Sequence, residues 1–103
     1  MLIDDSYVGK TVDLPIGQMM ELRLAENPTT GFRWNFVSKG EPACVVVGDT
    51  YHATGGPPGQ GGTHEWRIEG SRVGECDIAL DYRRSFEQVP PARSFTLHIR
   101  VVG

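Results

Sequence analysis

Three turn-like segments carry the groups best suited to contact chemistry. Asn27-Pro28-Thr29-Thr30-Gly31-Phe32 sets a proline, two hydroxyls and a closing glycine between two strand-like runs. Proline fixes its own φ, the residue before it is pushed out of the helical region, and Gly31 can take the positive φ of a sharp exit. Thr29 and Thr30 are β-branched with few rotamers, so they lose little entropy on docking against a partner. An ordinary hairpin turn accounts for the same residues equally well. The second segment, Gly55-Gly56-Pro57-Pro58-Gly59-Gln60-Gly61-Gly62, leads into the strand pattern Thr63-His64-Glu65-Trp66. It lacks the helix N-terminus, lysine and hydroxyl that a phosphate loop needs. Its glycines instead let a partner surface approach main-chain N–H and C=O groups. The third segment, Arg83-Arg84-Ser85-Phe86-Glu87-Gln88, puts an aromatic beside two guanidiniums, a composition enriched at protein interfaces. The alternative for Phe86 is that it folds back over the end of the core.

Other chemistry finds little support. His52, His64 and His98 have no pairwise spacing typical of metal ligands, and neither Cys44 nor Cys76 has a second cysteine nearby. His64 and His98 fall at solvent-facing or edge positions of their strands. There is no glycine-flanked serine elbow, and nothing local pairs a histidine with a cysteine. The acidic residues mostly alternate with core residues and read as solvated faces. No enzyme site, metal or cofactor is expected.

The elements that must position the three segments are strands. Met20, Leu22 and Leu24 oppose Glu21 and Arg23; Phe32, Trp34 and Phe36 oppose Arg33 and Asn35; Trp66 and Ile68 oppose Glu65, Arg67 and Glu69. Cys76, Ile78, Leu80 and Tyr82 share a face, as do Phe95, Leu97, Ile99 and Val101. Thr11 to Leu14 and Val45 to Tyr51 complete the set. No stretch keeps a helical period for more than about two turns. An all-β sandwich of about seven to eight antiparallel strands is expected. It is not an antibody-type domain, because Trp34 precedes Cys44 and does not lie between the two cysteines.

Composition sets bounds. The 103 residues suit a single domain spanning 1–103, with 39% hydrophobic and 22% charged residues, as in a soluble globular protein. The net charge is −3 and the ten lysines and arginines are scattered, Arg83 and Arg84 being the one adjacent pair, so nucleic acid is not an expected partner. Apolar runs are too short for a membrane span, and Asp4 and Asp5 stand where a signal peptide would carry lysines. The compartment stays open: cytoplasmic, or periplasmic or secreted if a signal has been removed. Cys44 and Cys76 are either bridged, contributing roughly 3 to 4 kcal/mol on the chain-entropy model, or small buried thiols. The aliphatic and aromatic content favours free thiols.

Taken together, Asn27 to Phe32, Gly59 to Gly62 before Thr-His-Glu-Trp, and Tyr82 to Glu87 resemble the chagasin family of cysteine peptidase inhibitors. The order and spacing run over nearly the whole chain. The first motif is complete and specific. The third departs from the family's Arg-Pro-Trp, reading Arg84-Ser85-Phe86-Glu87. The resemblance implies an immunoglobulin-like β-sandwich, a monomer, whose three loops form a wedge for the cleft of a papain-like cysteine peptidase, with reversible, tight and non-covalent inhibition. Asn27, Pro28, Thr29, Thr30, Gly31 and Phe32 would form the central loop, Thr29 and Thr30 lying near the catalytic cysteine. Gly59, Gln60, Gly61 and Gly62 would flank it on one side, and Arg84, Ser85, Phe86 and Glu87 on the other. A diverged immunoglobulin-like binding or adhesion module is the alternative.

Overall fold

The alternating pattern resolves into strands in the computed structural model, which describes residues 1–53, 55, 61–84 and 88–103. Among these residues there are eight: β1 (Leu2–Ile3), β2 (Thr11–Pro15), β3 (Met19–Glu26), β4 (Phe32–Lys39), β5 (Cys44–Ala53), β6 (Gly62–Gly70), β7 (Gly74–Arg84) and β8 (Arg93–Val102). They form two four-stranded sheets, ordered β1-β3-β6-β5 and β2-β8-β7-β4. Each sheet turns one face inward. Met20, Leu22, Leu24, Trp66 and Ile68 from the first meet Trp34, Ile78, Leu80, Phe95, Leu97, Ile99 and Val101 from the second in one apolar cluster. Fully burying a side chain of this size stabilises by roughly 1.5 to 3 kcal/mol, so the period-2 pattern alone selects which face turns inward.

The sandwich matches the all-β expectation, with one departure in pairing. β1 runs parallel to β3, and β2 runs parallel to β8. Both strands come from the N-terminal segment and pair with strands they do not follow through a hairpin, so no tight turn imposes the antiparallel direction. β1 went unread because two residues hold too little alternation to register.

The expectation of free thiols is overturned. Cys44 at the start of β5 and Cys76 in β7 form a disulfide that ties one sheet to the other, with their Cα atoms 6.5 Å apart. Both are buried. Composition argues only about how much core is available; it does not reveal that two inward positions on facing sheets lie within bridging distance.

Two further features shape the surface. The edge strands β4 and β5 each carry a bulge, between Phe36 and Ser38 and between Val46 and Gly48, leaving Val37 and Val47 exposed. On the outer face of the second sheet, the His98 ring is held between Asp77 at 2.7 Å and Glu75 at 2.8 Å, and Arg100 donates to Asp13 at 2.8 Å.

Two outcomes follow. Reducing the Cys44–Cys76 bridge, or replacing both cysteines by alanine, should lower the unfolding free energy by about 3 to 4 kcal/mol in chemical denaturation. Hydrogen bonds from Glu75 and then Asp77 raise the pKa of His98 above its ordinary 6.5. The stabilisation is therefore complete below that value and is lost as pH rises through the higher folded-state value. In thermal unfolding, the wild type should lose stability relative to His98→Gln on going from about pH 5.5 to about pH 8.5; parallel profiles would count against the pairing.

Candidate functional site

The first turn is a crossover between sheets, leaving β3 at Glu26 and entering β4 at Phe32. Pro28–Thr30 form a single 3₁₀ turn. Asn27 caps it by accepting from the Thr29 N–H at 3.2 Å, and Gly31 closes it at φ 84°. The Thr29 hydroxyl also donates to the Asn27 side chain, and the Thr30 hydroxyl donates to the Asn27 carbonyl at 2.7 Å. Both threonines are exposed, yet their hydroxyls brace the turn from within.

Beneath the turn lies a polar network that sequence reasoning missed. Glu26 is 3% exposed, and its carboxylate accepts the Trp34 N–H at 2.9 Å and faces His64 Nδ1 at 2.9 Å. His64 Nε2 faces Asp49 at 2.7 Å, and the ring stacks flat on Trp66 at 4.1 Å. The His64 ring thus bridges a buried carboxylate on one side and an exposed one on the other. The Trp34 indole N–H donates to the Ala25 carbonyl at 2.9 Å, and the Asn27 N–H donates to the Tyr82 hydroxyl at 2.9 Å. The signal for Glu26 was present in the sequence: it continues the inward series Met20, Leu22, Leu24. His64 likewise shares the inward face of Trp66 and is not a solvent-facing residue.

Strand register brings the three motifs to one end. Glu26 pairs with Gly62, and Phe32 pairs with Arg84. Gly61 has φ 76°, and a Cβ there would stand 2.9 Å from both Asn27 Cβ and the Glu26 carbonyl oxygen, so only glycine lets the second motif lie against the first. Gly62 is as tightly hemmed, since a Cβ would run into the His52 carbonyl. On the other side, Arg84 Nε donates to the Thr30 carbonyl at 2.9 Å and its guanidinium lies over the Phe32 ring at 4.6 Å. Phe32 and Trp34 in turn pack on Tyr82. Arg84 thus braces the first turn from beneath. Gly59, Gln60, Ser85, Phe86 and Glu87 lie outside the described residues.

A sandwich that holds a stiff, internally bonded and exposed turn at one end, between the roots of two flanking segments, presents a preformed contact surface. Residues 13–101 match the chagasin family of peptidase inhibitors, I42, and the chain belongs to that family of cysteine peptidase inhibitors; it is not an enzyme. It is 36% identical over 102 residues to Amoebiasin-1 of Entamoeba histolytica, covering 98% of this chain and 99% of that protein. It is 28% identical over 87 residues to Chagasin of Trypanosoma cruzi, covering 80% of this chain and 79% of the other. Among solved structures it resembles the cysteine protease inhibitor EhICP2 from Entamoeba histolytica, with a TM-score of 0.86 at 22% identity over 98% of this chain and 93% of that one. PbICP-C, solved in complex with falcipain-2, shares the fold with a TM-score of 0.69 at 18% identity over 99% of this chain and 90% of that one.

Replacing Glu26 by alanine should strand the Trp34 N–H and leave His64 without its inner partner, lowering stability by about 1 to 3 kcal/mol in chemical denaturation. Glu26→Gln, which keeps an acceptor for Trp34, should cost less. Equal losses would show that the carboxylate's shape and hydrogen bond are immaterial and only its charge counts.

Proposed function

We propose that this chain inhibits papain-like cysteine peptidases reversibly and without covalent chemistry, by seating the end of the sandwich that carries Asn27–Phe32 in the active-site cleft. The observation that carries this reading is the convergence of the motifs: pairing of Glu26 with Gly62 and of Phe32 with Arg84 sets the glycine segment and the third segment on either side of the first turn. In this arrangement Thr29 and Thr30 approach the catalytic cysteine. Gly59, Gln60, Gly61 and Gly62 meet one wall of the cleft, and Arg84, Ser85, Phe86 and Glu87 meet the other. Arg84 serves partly by holding Thr30 and Phe32 in place.

The mechanism is obstruction by a preformed surface. The turn's hydrogen bonds are already made in the free protein, so docking orders few side chains and loses little entropy. An inhibitor interface typically covers about 800 Å² per partner, within reach of three adjoining segments. The turn also resists turnover. Its backbone is folded into a 3₁₀ turn with the Asn27 and Pro28 carbonyls bonded inward, whereas cleavage needs an extended peptide carbonyl held in near-attack geometry. The relatives' descriptions as cysteine protease inhibitors, and the falcipain-2 complex of PbICP-C, support the same reading.

Titration of papain with this protein against a fluorogenic substrate tests the proposal. The native chain should inhibit, and Thr30→Tyr, which adds bulk at the exposed turn, should weaken inhibition by roughly 100-fold or more, while the lost Thr30 hydroxyl bond to Asn27 lowers stability by no more than about 1.5 kcal/mol and the chain stays folded. Full activity of both papain and cathepsin L with excess inhibitor would overturn the choice of target class. Unchanged inhibition by Thr30→Tyr would overturn the docking site.

A further inference from the structure

The outer face of the second sheet ends, beside the first and third motifs, in an unusual pair. Arg33 of β4 and Arg83 of β7 are direct partners across the antiparallel ladder, and both are exposed. Like charges directly opposite each other on one sheet face are destabilising. Among the described residues neither guanidinium is drawn off by a carboxylate: the ion pairs of this face join Arg93 with Asp5, His98 with Glu75 and Asp77, and Arg100 with Asp13. The repulsion is thus left standing at one place in a chain whose net charge is −3. Farther along the same face the character reverses: Asp81, Ala79, Asp77 and Glu75 follow Arg83 at every second position of β7, three of the four being acidic.

Position gives the pair a use. Arg33 follows Phe32 directly, and Arg83 is the neighbour of Arg84, so each lies one residue, about 3.3 Å, from a motif residue. That is well inside the Debye length of about 8 Å at physiological ionic strength. We propose that Arg33 and Arg83 form a basic contact face, continuous with the wedge, for a peptidase whose rim beside the cleft is acidic. The pair speeds encounter and selects among peptidases by charge, while the turn itself does the blocking. This rests on the wedge reading above. It adds a charge-selective surface built from outward strand residues: Arg83, at the strand end of the third motif, and Arg33, which lies outside all three.

The test compares the native protein with Arg33→Gln/Arg83→Gln against two papain-like peptidases, one with an acidic and one with a basic cleft rim, by following the onset of inhibition at about 20 mM and about 500 mM salt. Toward the acidic-rimmed enzyme at low salt, the variant's association rate constant should fall roughly 3- to 10-fold, with dissociation changed less than about 2-fold. The difference should close at high salt, and toward the basic-rimmed enzyme the variant should associate as fast or faster. Its unfolding midpoint should hold or rise, since a repulsion has been removed, whereas residues kept for stability would lower it. An unchanged association rate with the acidic-rimmed enzyme at low salt would overturn the proposal, as would a loss equal at both salt concentrations. Thr30→Tyr runs alongside: if it inhibits like the native chain, the wedge reading fails, whatever the arginine variant does.

Discussion

A carboxylate buried at the end of a strand is costly unless its oxygens are satisfied, and the placement of the end that carries the first turn depends on how Glu26 meets that demand. One oxygen takes the Trp34 N–H and the other faces His64. Trp34 lies in the opposite sheet, so the bond closes the base of the crossover turn, and the indole N–H to the Ala25 carbonyl closes it a second time. The entropy of the segment between is lost when the protein folds, before any partner arrives. His64 extends the same constraint sideways to Asp49 in β5. The first turn, the exit of the glycine segment and the edge strand are thereby held in one arrangement.

The opposite flank is fixed by aromatic packing. Tyr82 accepts the Asn27 N–H and lies against both Phe32 and Trp34, so one side chain of β7 fixes both ends of the turn. Arg84 completes this side by covering Phe32 and holding the Thr30 carbonyl. A guanidinium serves well here because its flat face can stack while its edge donates. Substitution at Arg84 therefore disturbs the first motif as well as the third.

Much of this was legible in the chain. The inward series on β3, β7 and β8 carried the sandwich and its core, and the proline and glycine of the first motif carried a turn closed by Gly31 at positive φ, whereas the inward bonding of the two threonine hydroxyls to Asn27 was not foreseen. Residues whose role depends on a distant partner were not legible. Glu26 reads as one more acidic strand residue unless its inward parity is noticed, and His64 reads as exposed until Glu26 and Asp49 are found beside it. The cysteines lie on strands of different sheets, and only the stacking of those sheets brings them together. The parallel pairings of β1 and β2 escaped for a similar reason, since each joins segments remote in sequence.

The ladder contacts have a further consequence. Gly62 is fixed by Glu26 on one side and Ala53 on the other, and Arg84 is fixed by Phe32, so each flanking segment is anchored at its root by main-chain pairing that ignores side-chain identity. Residues added or removed between Ala53 and Gly61 leave these main-chain anchors in place. On the inhibitory docking proposed above, a lineage could therefore retune one contact with a target while the roots of the others keep their positions.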